Sequence, residues 1–100
     1  MRPIHLAQLD KIRPVVILTR SAVLPYLGSV TVAPITSTIR GLSTEVPVGA
    51  KNGLDQSGVI SCDSVTTVPR SAIGQLIGHL NERQEAALTT AILAAFDFEA

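Results

Sequence analysis

The sequence has little sulfur and few aromatic side chains. Among its 100 residues there is one cysteine, no tryptophan and only three aromatic residues. A single cysteine, Cys62, excludes a disulfide within the chain, which is typical of a reducing compartment. No apolar run reaches the ~18 residues that span a bilayer, and the N-terminus lacks the pattern of a signal peptide. We therefore expect a cytoplasmic protein with no membrane segment and little stacking of bases on aromatic rings.

Charge is also scarce. Charged residues make up 16% of the chain and apolar residues 46%, and the formal net charge is zero. Residues 1–50 have five basic and two acidic residues, a charge of +3, whereas residues 51–100 have three and six, a charge of −3. A general nucleic-acid binder is usually strongly basic, so the composition leaves room only for a small anion site. The length predicts one domain, residues 1–100, and the apolar excess favours a homodimer.

Residues that bind metals or cofactors are not clustered in the sequence. His5, Cys62 and His79 are far apart and show no ligand spacing. No glycine pattern matches a phosphate-binding loop. We therefore predict no metal and no cofactor. Cys62 is interpreted as a small buried hydrophobic residue, although pairing with a histidine as a nucleophile stays open.

The hydrophobic pattern predicts a mainly β protein with a C-terminal helix. Asn81 and Gln84 form a capping box, and Leu88, Ala91, Ile92, Ala95 and Phe96 follow with helical spacing. Five to seven short strands before this helix favour a small β-barrel, which removes exposed strand edges. The predicted strands are Ile4–Leu9, Pro14–Arg20, Ser29–Pro34, Thr44–Val48, Gly58–Asp63, Val65–Val68 and Gly74–Leu80. For the last segment an irregular helix is the alternative, and its two glycines favour a strand.

Two stretches have the residue types that recognise phosphate. In "KIRPVVILTR", Arg13 precedes Pro14, which lacks an N–H and is therefore expected to open the strand, so that Arg13 lies at the barrel rim. In "VAPITST", the hydroxyl residues Thr36, Ser37 and Thr38 follow a β-branched strand. A guanidinium group facing hydroxyl groups could bind a phosphate. The alternative is an ordinary strand end beside a polar turn.

These two stretches, with "TEVPV" and "SGVISCDSVTTVP", occur in the order and approximate spacing of the MazF/PemK toxins. The chain resembles this family over residues 4–98. The resemblance implies a small SH3-like barrel of the MazF/CcdB type, a homodimer, a MazE-like antitoxin partner and cleavage of single-stranded RNA (mRNA, tRNA or rRNA). It implies no metal, and products with 2′,3′-cyclic phosphate and 5′-OH ends.

The resemblance also assigns roles to individual residues. The family's catalytic arginine and threonine correspond to Arg13 and Thr36. Ser37 matches a serine found in some members, and Asp63 matches an acidic residue near the RNA, as a binding group or a general base. Thr38 and Arg20 are further candidates for RNA binding.

The chain departs from the family pattern mainly before Arg13. The long loop that joins the first two strands in the family is reduced here to Asp10, Lys11 and Ile12. An arginine two residues before the Cys-Asp aspartate is replaced by Ser61. Two alternatives therefore remain open: a homologue that binds antitoxin but cleaves weakly, and a non-enzymatic gyrase inhibitor like CcdB.

Overall fold

The computed structural model describes residues 1–99. Within them the chain forms seven β-strands followed by one α-helix, which confirms the predicted fold class. The elements are β1 (Pro3–Gln8), β2 (Ile12–Ile17), β3 (Ser29–Thr36), β4 (Glu45–Val48), β5 (Gly58–Ser61), β6 (Thr66–Pro69), β7 (Ile73–His79) and α1 (Glu82–Ala95).

The strands form one curled antiparallel sheet with the order β4-β5-β3-β2-β1-β7, and β6 also pairs with β3. The eight-residue strand β3 is the centre of this arrangement. Its residues pair with β2 from Val32 to Pro34, with β6 from Ser29 to Val32, and with β5 at Ile35 and Thr36. The end of β3 therefore lies between the start of β2 and the start of β5.

The centre of the sheet is buried on both faces, which explains the continuous apolar run in β2. Val16 belongs to a cluster beneath α1 that includes Ile4, Ile60 and Leu88. Val15 and Ile17 face the other side and pack with Ala7, Val30 and Val32. Alternate residues of a strand point to opposite faces, so a strand with two buried faces is apolar at every position.

The start of β2 differs from the prediction. The strand begins at Ile12, so Arg13 is its second residue, opposite Ala7 of β1, and Pro14 lies inside the strand. The expectation that Pro14 opens the strand was wrong. Pairing of β2 with β3 begins only at Val15. Pro14 thus lies at the edge of that pairing, where proline is tolerated.

Helix α1 is capped as predicted, and its buried face is shorter than expected. The Asn81 side chain accepts from the Gln84 N–H at 2.8 Å, and the Gln84 side chain accepts from the Asn81 N–H at 3.0 Å. Leu88 and Ala91 are buried, but Phe96 is 52% exposed, because the helix ends at Ala95. In the described part of the chain, no helix has the length and apolarity to cross a membrane.

Candidate functional site

Arg13 is positioned by the tight turn between β1 and β2. The Leu9 N–H donates to the Lys11 carbonyl at 3.0 Å, which brings Asp10 back over β2. The Asp10 carboxylate then accepts from Nε and Nη2 of Arg13 at 2.9 and 3.0 Å. These hydrogen bonds hold the pKa of the Asp10 carboxyl well below its usual range, so the pair stays ionised at neutral pH.

Thr36 is positioned by the end of β3 and the start of β5. A Cβ atom added at Gly58 would lie 2.5 Å from the Thr36 carbonyl oxygen, so only glycine allows the two strands to approach this closely here. The Thr36 hydroxyl oxygen accepts from the Thr38 N–H at 3.1 Å. Because the hydroxyl acts there as an acceptor, its own proton stays free for a ligand.

A surface cavity of about 380 Å³ brings four of the predicted residues together. We call it the Asp63 cavity, and its wall includes Asp10, Arg13, Thr36, Thr38, Arg40, Glu45 and Asp63. The guanidinium and hydroxyl groups predicted to bind phosphate therefore do share one concave surface. Three carboxylates lie beside two guanidinium groups, so this wall is not strongly basic.

The loop after β3 is fastened to the cavity by Glu45. Its Oε1 atom accepts from the backbone N–H groups of Arg40, Gly41 and Leu42 at 3.2, 2.9 and 3.2 Å. Gly41 has a φ of +73°, which lets three successive N–H groups converge on one carboxylate. This arrangement fixes the segment that places Thr38 and Arg40 on the cavity wall.

Asp63 follows β5 in a short turn and is exposed. The Thr44 hydroxyl donates to its Oδ2 atom at 2.6 Å. Asp10 and Glu45 use both of their oxygens in hydrogen bonds, whereas the contacts within residues 1–99 engage only Oδ2 of Asp63. Asp63 is therefore the cavity carboxylate with an oxygen left to accept a proton or a hydrogen bond from the edge of a base.

The other two candidates, Ser37 and Arg20, do not line the Asp63 cavity. Ser37 lines a second cavity, which Arg13 and Thr36 also line. Arg20 lines a different surface depression near Met1 and Arg2, so the structure does not bring it to Arg13. Within residues 1–99 no three His, Cys, Asp or Glu side chains cluster as metal ligands.

Cys62 is buried with 1% exposure, as interpreted from the sequence. Burial raises the pKa of its thiol to about 11, and the neighbouring Asp63 charge acts in the same direction. A thiol with so high a pKa is not a nucleophile at neutral pH.

Three residues of the site were not identified as functional from the sequence. Asp10 is three residues before Arg13 across a tight turn, a spacing that could have indicated the ion pair. Arg40 is two residues after Thr38, and this short distance in the sequence could have indicated that it lies near the hydroxyl groups. Nothing in the sequence indicated that Glu45 would bind the loop backbone, because this contact depends on the conformation of residues 40–42.

Comparison with known proteins matches the chain to one family. Residues 3–96 match the model described as PemK-like, MazF-like toxin of type II toxin–antitoxin system. The endoribonuclease MazF3 of Mycobacterium tuberculosis is 61% identical over 99 residues, which cover 99% of this chain and 96% of that protein. The probable endoribonuclease MazF5 of the same organism is 36% identical over 86 residues, 85% of this chain and 79% of that protein.

The fold is similar to solved structures as well. The Mycobacterium tuberculosis toxin MazF-mt6 superposes with a TM-score of 0.97 at 60% sequence identity, over 99% of this chain and 100% of that chain.

Proposed function

Because the chain belongs to the PemK-like, MazF-like toxins of type II toxin–antitoxin systems and is an endoribonuclease, we propose that it cleaves single-stranded RNA without a metal ion. The ribose 2′-OH loses its proton and attacks the adjacent phosphorus, and the 5′-oxygen of the next nucleotide leaves and takes up a proton from water. The products have a 2′,3′-cyclic phosphate and a 5′-OH end. The observation that supports this proposal best is that Arg13 and Thr36 line one cavity.

Arg13 stabilises the charge that develops on the phosphorane. An arginine side chain stays protonated at any pH the protein meets, so Arg13 cannot be the general base. Its ion pair with Asp10 fixes the guanidinium group before the substrate arrives. A donor fixed in advance needs no reorganisation when charge develops in the transition state.

Thr36 orients the phosphate through its hydroxyl proton. Its oxygen is already held by the Thr38 N–H. Asp63 is the residue best suited to take the 2′-OH proton, because one of its carboxylate oxygens remains available. Both residues lie on the wall that also contains Arg13.

The substrate requires a 2′-OH, so DNA is not cleaved.

We propose further that the chain acts as a homodimer and is neutralised by a MazE-like antitoxin. Large apolar side chains exposed on the single chain support a partner subunit, and they include Tyr26, Leu27, Leu76, Phe96 and Phe98. Burying such side chains against a second copy would remove them from water.

The test is a cleavage assay on purified mRNA, tRNA and rRNA with and without a chelator, followed by mass spectrometry of the new ends. Arg13→Ala is expected to lower the cleavage rate by about 10²–10³-fold. Thr36→Val should lower the rate, whereas Thr36→Ser, which keeps the hydroxyl, should retain most of it. Asp63→Asn should lower the rate by about 10²-fold or more if it removes the base.

Three results would contradict the proposal: cleavage that stops on chelation, a 3′-phosphate formed without a cyclic intermediate, or an unchanged rate in Arg13→Ala. A folded protein that cuts none of the three RNA classes would instead favour a homologue that binds antitoxin but does not cleave.

A further inference from the structure

Arg13 and Thr36 each line two cavities, and we call this shared boundary the Arg13–Thr36 ridge. One side is the Asp63 cavity. The other side is a cavity of about 370 Å³ that shares Arg13 and Thr36 with it and is also lined by Lys11, Ser37 and Gln56. We call it the Gln56 cavity. An RNA strand whose scissile phosphate lies on the ridge can therefore place a flanking nucleotide beside either cavity.

The wall of the Gln56 cavity has the chemistry of a nucleobase site. Its apolar surface comes from the aliphatic side chains of Leu6, Ile12, Leu54 and Ile77. Its polar groups include the Gln56 carboxamide and the Asp55 carboxylate, both on exposed residues. A base needs an apolar surface for its ring face and donors or acceptors for its edge. A carboxamide can donate and accept at once, as in the bidentate contacts that glutamine makes with bases.

Hydrogen bonds of a buried side chain hold the loop that carries these polar groups in place. Asn52 is 3% exposed, and its side chain accepts from the Gly49 N–H at 3.0 Å and donates to the His79 carbonyl at 3.0 Å. It also exchanges hydrogen bonds with Gln84 of α1 at 2.7 and 3.0 Å. The fully satisfied buried amide anchors the start of the loop.

Two glycines hold the ends of the loop against neighbouring strands. Gly53 has a φ of +85°, and a Cβ atom there would lie 1.9 Å from the Ile77 carbonyl oxygen, so the loop packs directly on β7. At the other end, Gly58 packs against the Thr36 carbonyl. Residues 53–58 are thus held at both ends, and one end touches a residue of the ridge. A site held in place before binding discriminates between ligands better than a mobile one.

We propose that the Gln56 cavity binds the base of one of the two nucleotides next to the scissile phosphate, and that Gln56 and Asp55 read its edge. This inference rests on the proposed function of the Arg13–Thr36 ridge. The loop of residues 53–58 then helps to determine the RNA sequence at which the chain cleaves.

The experiment measures cleavage preference on a pool of short single-stranded RNAs in which three positions on each side of a mapped cut are randomised. Cleaved and uncleaved molecules are sequenced for the wild type, Gln56→Ala and Asp55→Asn. Gln75→Ala is the matched control, because Gln75 is an exposed glutamine of β7 that lines neither cavity.

Gln56→Ala is expected to change the preference at one of the two positions flanking the cut by about tenfold, the effect of losing one or two hydrogen bonds to a base. Asp55→Asn should change the preference at that same position, and Gln75→Ala should leave every preference unchanged. The product ends should be the same in all variants, because the ridge is intact.

Two results would overturn the inference while leaving the proposed function intact: unchanged preferences in both loop variants, or an equal fall in cleavage at all sequences. Retained RNA preference combined with lost neutralisation by an antitoxin in Gln56→Ala would assign the cavity to a protein partner instead. If the wild type cuts no member of the pool and no natural RNA, both the proposed function and this inference fail.

Discussion

Arg13 is held along one edge of its guanidinium group and keeps the other edge for a ligand. Two of its five N–H donors bond to Asp10, which leaves three. The short turn between β1 and β2 makes this possible, because it places a carboxylate three residues before the arginine on the same surface. The short turn before Arg13 therefore includes a group that orients Arg13.

This arrangement predicts the effect of Asp10→Asn. The asparagine keeps the shape of the side chain but loses the charge that attracts the guanidinium group, so Arg13 samples more conformations. We expect cleavage at subsaturating RNA to fall by about tenfold, the effect of losing one charge-assisted hydrogen bond. The measurement is kcat/KM on a short RNA with a single cut site. Since the pKa of Asp10 lies well below its usual range, the pair stays charged from pH 5 to 8, and the ratio of the two rates should not depend on pH there.

The control is the same change in a protein that already lacks Arg13. If Asp10 acts only through Arg13, then Asp10→Asn should have little further effect in the Arg13→Ala background. Equal effects in the two backgrounds would show that Asp10 contacts the RNA by itself.

At the level of elements, the periodicity of the sequence predicted five to seven strands and the helix, but not where they end. The β2 boundary was wrong because the rule that proline opens a strand ignores where pairing with the second neighbour begins. Pro14 is tolerated inside β2, since β3 pairs only from Val15 onward. Phe96 fits the helical spacing of the buried face but lies beyond the end of α1, where tertiary packing and not periodicity decides exposure.

The contacts between elements were less accessible from the sequence. The capping box of Asn81 and Gln84 is a local pattern and was predicted. The hydrogen bonds from Gln84 to Asn52 join residues 32 positions apart and leave no local signal. The same holds for Glu45 and the loop that it fastens. The residue types alone made Arg13 and Thr36 candidates for phosphate binding, and the family resemblance added their catalytic roles. Their placement on one cavity wall depends on the β2–β3 register.

The hydrogen bonds of the buried Asn52 side chain join the loop to helix α1, and we expect their loss to lower the stability of the protein. In Asn52→Ala the Gly49 N–H and the His79 carbonyl lose their partner inside the protein. We expect the free energy of unfolding to fall by about 2–3 kcal/mol, measured by urea denaturation at one fixed protein concentration. The neighbouring exposed Lys51 is the matched control, and Lys51→Ala should change the value by less than about 0.5 kcal/mol. Equal free energies of unfolding in the two variants would show that the Asn52 contacts do not stabilise the protein.

At the scale of the whole molecule, the separation of charge along the sequence does not produce a basic active site. The first half of the chain has a charge of +3, but its two acidic residues, Asp10 and Glu45, both lie on the wall of the Asp63 cavity beside Arg13 and Arg40. The positive charge near the proposed cut is therefore largely balanced within the site. RNA binding must then depend less on phosphate attraction and more on specific contacts.

This balance predicts a shallow salt dependence of RNA affinity. Lys11, Arg13 and Arg40 are the cations on the walls of the two cavities, and three neutralised phosphates of a single strand give a slope of about −2 in log K against log salt. Fluorescence anisotropy of a 2′-O-methyl RNA, which cannot be cleaved, measures this slope. Arg40→Gln should make it shallower by about 0.7, whereas Arg83→Gln, on the exposed side of α1 away from both cavities, should leave it unchanged. A wild-type slope steeper than about −4 would contradict the prediction, because it requires the RNA to contact basic residues outside the two cavities, such as those of a second subunit.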